Sequence, residues 1–289
     1  MAIPHLADYP MPKVDAFPAN RVFWQPDPSR AVLLVHDMQR YFLGFYEPDS
    51  ALIRRLIDNL VSLRRWADAH RIPVVYTAQP HQQSPAERAL LNDMWGPGLT
   101  AVESDMQRVV DELAPNDSDT VLVKWRYSAF QRSDLANLLK RWGRDQLIIG
   151  GVYAHIGCLV TALDAFMNDI QPFLVGDAVA DFSEADHHMA LRYVATRCGR
   201  VIDTAALVGV GTGEPSREWL LARVRQLIDD EGDIDLDENL LCYGLDSIQV
   251  MTLAGELRER GIQVSFEDLA RAPTVNAWCA LIESQRAAA

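Results

Sequence analysis

AVLLVHDMQRYFLGFYEPDSALIRRLIDNLVSLRRWADAHRIPVVYTA, residues 31–78, sets two short apolar runs on either side of an amphipathic segment. The runs AVLLVH (31–36) and PVVYTA (73–78) have the length and Val-rich character of buried strands. Between them Leu52, Ile53, Leu56, Ile57, Leu60, Leu63 and Trp66 recur at helical spacing, so the stretch reads as strand, helix, strand. The alternation continues through TVLVKW (120–125), a helical stretch at 133–142, QLIIGGVY (146–153), a helix over 157–168, PFLVGDAVAD (172–181), a helix over 183–196 and RVIDTAAL (200–207). Near-continuous apolar strands alternating with helices predict an α/β fold, a doubly wound, mostly parallel sheet with helices on both faces. Ligands of such sheets bind beyond the carboxyl ends of the strands, which directs attention to polar residues just after each run.

The alternation stops at VGVGTGEPS (208–216), where small and turn-forming residues crowd together. We read 1–208 as one domain, 209–215 as a linker and 216–289 as a second domain. Leu220, Val224, Leu227 and Ile228 form one helical stripe there, and Ile248, Met251, Leu253, Ala254 and Leu257 another. A shorter helix over 266–270 and a last one N-capped by Thr274 complete a small four-helix domain.

The formal net charge of −13 argues against a nucleic-acid partner. Residues 214–289 hold 15 acidic and 7 basic side chains, so the second domain should attract basic protein surfaces. No run reaches the roughly 18 apolar residues of a membrane helix, and the Pro-punctuated start lacks the apolar core of a secretory signal. Cys158, Cys198, Cys242 and Cys279 follow no paired spacing, which favours free thiols, and a cytoplasmic protein is expected.

Three features lie at or just beyond strand ends: Asp37 in VHDMQRYF, Lys124 in VLVKWRYSAF and the turn GGVYAHIGC (150–158). An acid, a cation and a tight turn from three strands can meet in one crevice. Each also has a plainer reading, Asp37 as a helix N-cap, Lys124 as a solvated strand-end lysine and the glycines as turn and packing residues.

Together with HDMQ, YTAQP and ALLNDMWGPGL, these stretches resemble the isochorismatase-like hydrolase superfamily, which includes the nicotinamidases. Members place an Asp after the first strand, a Lys after a middle strand and a Cys nucleophile shortly after a Gly-Val turn. The aligned nucleophile position here is Gly157, and Cys158 falls one residue later. Glycine there resembles the isochorismatase branch, which cleaves a vinyl ether without a covalent intermediate. The resemblance implies hydrolysis of isochorismate to 2,3-dihydro-2,3-dihydroxybenzoate and pyruvate, with Asp37 as the acid that protonates the vinyl carbon. A closed pocket and a dianionic substrate favour the proton on Asp37, while Lys124 opposes it, binds substrate anions and orients Asp37. It further implies substrate contacts from Gln79, Arg88, Tyr153 and the backbone at Gly157, with Phe42, Trp95 and Tyr127 walling the ring; for Phe42 and Trp95 plain core packing is an equal reading. No metal is expected: HQQSPAER (81–88) does not reproduce the nicotinamidase Asp/His cluster. His187 and His188 point about 100° apart on a helix and read as surface residues.

In the second domain LLCYGLDSIQVMTLAGEL (240–257) resembles the phosphopantetheine attachment motif of carrier domains. Ser247 sits where a loop becomes a helix, whose free amides and dipole favour a phosphate, although a Ser there is also an ordinary N-cap. Ile248, Met251 and Phe266 are candidates for an exposed apolar patch, with core burial the commoner fate of a Met. The whole resembles the bifunctional isochorismatase/aryl carrier proteins of enterobactin- and vibriobactin-type siderophore pathways. That resemblance implies covalent 4'-phosphopantetheine on Ser247. The implied partners are a phosphopantetheinyl transferase, a 2,3-dihydroxybenzoate-activating adenylation enzyme and the condensation domain of a nonribosomal peptide synthetase. A homodimer or higher homo-oligomer is a further implication. The competing readings are a hydrolase of an amino analogue of isochorismate, as in phenazine pathways, an inert carrier scaffold, and an amidase using Cys158.

Overall fold

A computed structural model describes residues 3–209, 217–228, 234–259 and 262–287. The chain divides into two compact units, Met1–Val208 and Gly209–Ala289. From 210 onward, the expected linker lies outside the described residues.

The first unit is built on six parallel strands, β1 (Ala31–His36), β2 (Val74–Ala78), β3 (Thr120–Val123), β4 (Gln146–Val152), β5 (Gln171–Ala180) and β6 (Arg200–Ile202), in the order β3-β2-β1-β4-β5-β6. The order reverses between β1 and β4, and such a switch point opens a crevice at the carboxyl ends of the strands. Alternate side chains of β1 explain why its run is apolar throughout. Leu33 and Val35 enter one core with Leu52, Leu56, Leu60 and Leu63 of helix α1 (Ala51–Ala69). Val32 and Leu34 enter the other core with Leu135 and Leu139 of α2 (Leu135–Trp142), Leu159 and Ala162 of α3 (Leu159–Met167), and Ala190 and Leu191 of α4 (Glu184–Tyr193). Both faces are covered, as the doubly wound reading requires.

The largest boundary difference from the sequence reading lies at β6. RVIDTAAL does not remain a strand: β6 ends at Ile202, Asp203 accepts a hydrogen bond from the Ala206 amide at 3.1 Å, and Thr204–Gly209 is helical. An aspartate at that step offers the backbone a cap, which outweighs the weak strand tendency of TAAL.

The second unit holds α5 (Arg217–Ile228), α6 (Ser247–Glu259), α7 (Phe266–Arg271) and α8 (Val275–Ala287) around Leu220, Val224, Leu240, Leu253, Leu257, Leu269, Trp278 and Ile282. Thr274 accepts from the Ala277 amide at 3.2 Å and caps α8, and the Trp278 indole donates to the Leu269 carbonyl at 2.9 Å. Among the described residues no helix is long and apolar enough to cross a membrane.

Candidate active site

Asp37 follows β1 directly, with φ of 49°, a left-handed conformation that Asp tolerates better than most residues. Its carboxylate is nearly buried and held from two sides. Lys124, just after β3, places Nζ 3.0 Å from Oδ2, and the Thr77 hydroxyl on β2 donates to Oδ1 at 2.6 Å. Three neighbouring strands thus fix one acid, and the parallel register brings their ends level. Asp37 caps no helix; its acceptor positions go to Lys124 and Thr77.

Beyond β4 the Val152–Tyr153 peptide is cis, and Ala154–Cys158 forms a single π-helical turn before α3. Gly157 faces the pocket, whereas the Cys158 side chain is fully buried in the opposite core. Burial, with the charges of Asp37 and Asp181 added, raises the Cys158 thiol well above its ordinary pKa, so it offers neither access nor thiolate.

The remaining walls come from loops. Arg88 is 4% exposed and donates through Nε to the Gly96 carbonyl at 2.7 Å, leaving it without a carboxylate partner among the described residues. Desolvation lowers its pKa, partly offset by Tyr41, as expected of a cation with no counter-ion. Gln79 is placed by Gln39, whose side chain accepts from the Gln79 amide at 2.8 Å and donates to the Gln79 carbonyl at 2.9 Å. The Trp95 indole donates to the Tyr127 hydroxyl at 2.8 Å, and Trp95 and Tyr153 both meet Phe182 edge to face. Tyr153 offers its ring to the pocket, since its hydroxyl already donates to the Phe42 carbonyl at 2.7 Å.

All nine hydrolase residues singled out from the sequence line this one pocket: Asp37, Phe42, Gln79, Arg88, Trp95, Lys124, Tyr127, Tyr153 and Gly157. Sequence reasoning missed Ile3, His36, Tyr41, Leu91, Val152, Ile156 and Phe182 among the lining residues, and Thr77 and Gln39 behind them. His36 closes the β1 run and Phe182 follows the β5 run, so both stand at strand ends, but a rule for polar residues just after a run selects neither. Ile3 reaches the pocket through a tertiary path that no local pattern reveals. His187 is a correction: it is buried, not superficial, with Nδ1 3.0 Å from the Tyr9 hydroxyl and Nε2 2.9 Å from the Gly176 carbonyl. Among the described residues no group of three or more His, Cys, Asp or Glu is placed to hold a metal.

In the second unit Ser247 is exposed at the first position of α6. The cap is Asp246, which accepts from the Gln249 amide at 2.8 Å while Gln249 accepts from the Asp246 amide at 2.7 Å. Ser247 is thereby relieved of capping. Ile248 and Met251 are 74% and 59% exposed, so Met251 is not a core residue here, while Phe266 packs partly against the core.

Residues 31–206 match the isochorismatase domain, and residues 218–282 match the phosphopantetheine attachment site. Enterobactin synthase component B of Escherichia coli K12 is 50% identical over 99% of both chains. The phenazine biosynthesis protein PhzD1 of Pseudomonas aeruginosa is 52% identical but spans only 70% of this chain, with 96% of its own length covered. The crystal structure of a cysteine hydrolase from Pseudomonas syringae shares the fold, with a TM-score of 0.60 at 23% identity over 66% of this chain and 96% of that one. The chain belongs to the isochorismatase family, as a member with a phosphopantetheine attachment domain behind its hydrolase.

Proposed function

We propose that the first unit hydrolyses isochorismate to 2,3-dihydro-2,3-dihydroxybenzoate and pyruvate, and that the second carries 2,3-dihydroxybenzoate as a thioester for siderophore synthesis. The observation that carries the hydrolase reading is a buried acid, Asp37, ion-paired to Lys124 in a pocket that also holds Arg88 without a counter-ion. A dicarboxylate supplies the missing charge: Arg88 takes one carboxylate through its guanidinium fork, and Lys124 faces the other.

Asp37 delivers a proton to the terminal vinyl carbon, leaving an oxocarbenium ion stabilised by the ether oxygen. Water adds to that cation and returns a proton to Asp37. The hemiketal then collapses, its C–O bond breaking to release the ring alcohol and the pyruvate ketone. Lys124 and Thr77 hold Asp37 in line, Gln79 on its Gln39 clamp supplies hydrogen bonds, and Phe42, Trp95, Tyr127 and Tyr153 exclude bulk water. Every atom of the reaction is supplied by substrate, water and Asp37, with no thiol involved.

Ser247 fits the phosphopantetheine arm: it is exposed, free of capping and placed at a helix N-terminus. The arm supplies a terminal thiol that holds the aryl group as a thioester. A phosphopantetheinyl transferase must attach it, and the synthetase machinery loads and unloads it, with Ile248 and Met251 exposed beside Ser247 for such partners.

The likeness to PhzD1 favours a second reading, turnover of the 2-amino analogue, but it does not extend to the second unit. Release of pyruvate from isochorismate, together with addition of one arm from coenzyme A at Ser247, tests the proposal. Inactivity on isochorismate with turnover of the amino analogue selects the second reading, and inactivity on both leaves the chain a carrier alone. The domain division at 209–215 belongs to this proposal, with each unit acting independently.

A further inference from the structure

We propose that His36 and Gly157 form one specificity-determining pair, in which the imidazole fills the space any side chain at 157 would need. The pocket is thereby committed to chemistry without a nucleophile at that position. This deepens the hydrolytic reading above and rests on it.

Gly157 is not required by its backbone, since its φ lies outside the left-handed region. It is required by space. A Cβ built on Gly157 would lie 2.1 Å from His36 Cε1, 2.8 Å from Nε2 and 3.0 Å from Nδ1, directly against the ring. His36 cannot swing aside. It is fully buried, and its Nδ1 lies 2.8 Å from the Val152 carbonyl, which only accepts, so Nδ1 carries the hydrogen. Its main chain is boxed in as well, because a Cβ on Gly151, the register partner across β1 and β4, would approach the His36 carbonyl oxygen to 2.1 Å. Two glycines of the β4 turn are therefore fitted to one histidine.

The ring is also held by backbone on two sides, the Val152 carbonyl and the backbone at Tyr127, which keeps it over the residue-157 site. The fold itself is shared with a cysteine hydrolase, so the scaffold does not exclude thiol chemistry. Cys158 is no substitute, because its side chain points into the opposite core. A thiol at 157 would need a smaller residue at 36 first, so that two changes, not one, separate this pocket from a nucleophilic one.

A double-mutant cycle on the full chain tests the pair, using Gly157→Ala, His36→Ala and both together, read by thermal melting of the hydrolase unit and by pyruvate release. Gly157→Ala alone should lower the melting temperature by on the order of 5–10 °C through overpacking. In the His36→Ala background the same methyl should be nearly neutral, because it enters vacated space. If a single variant does not fold, the question becomes whether the second change restores folding. Restoration supports the pair. Additive losses, failure to restore, or a harmless Gly157→Ala in the unaltered protein would overturn it. Absence of pyruvate release by the unaltered protein would instead reject the hydrolytic reading, and the melting cycle would still decide the pairing.

Discussion

Arg88 shows how a single residue records its ligand. A guanidinium this far from water is costly unless a charge meets it, and among the described residues no carboxylate does. Arg88→Lys keeps the charge but loses the planar fork. It should raise KM for isochorismate roughly tenfold or more while moving kcat less, since ground state and transition state share the carboxylate contact; steady-state kinetics will show it. Cys158→Ala should leave turnover unchanged, and abolished turnover would revive a thiol mechanism. The site was legible in the sequence where chemistry sits on strand ends: Asp37 and Lys124 follow apolar runs, and the Gly157 turn follows another. It was illegible where the partner is remote. His187 reads as one of two adjacent helix histidines, and nothing local says which turns inward. Its burial depends on Tyr9, 178 residues away, whose hydroxyl meets Nδ1.

At the level of elements, the near-continuous apolar run of β1 and the helical spacing in α1 were enough to read a sheet covered on both faces, because each pattern is set by its own burial. Leu56 on α1 is fully buried beneath the sheet, and Leu56→Ala should cost about 2–5 kcal/mol in chemical denaturation. The end of β6 was not legible, since TAAL suits either state and the Asp203 cap decides it. In α6 the reciprocal Asp246 and Gln249 bonds hold the first turn. Asp246→Ala should therefore lower the stability of the second unit by about 1 kcal/mol, measurable by melting that unit. Ser247→Ala lacks the hydroxyl and should take up no arm from coenzyme A, as intact mass will report.

For the whole molecule, acid should weaken the hydrolase unit in a defined window. Burial lowers His36 to about 4, with the Lys124 charge adding to the effect, and burial lowers His187 to about 4. Both are neutral in the fold and take up protons on unfolding between that value and the ordinary 6.5. Their contribution is complete above about 6.5 and drains as pH falls toward 4. His155 acts in the opposite sense, since burial disfavours its charge but Asp181 outweighs burial and raises it. His187→Gln should accordingly flatten the pH dependence of melting within that window without removing it. A chain ending between 209 and 216 should fold and release pyruvate as the full chain does, and an insoluble product would refute the division. The account as a whole rests on one acid delivering a proton to carbon. Single-turnover release of pyruvate from isochorismate by Asp37→Asn, with substrate binding measured alongside, tests this most directly. The expected result is a loss of at least ~10²-fold in rate with binding largely retained, and release at close to the unaltered rate would contradict it.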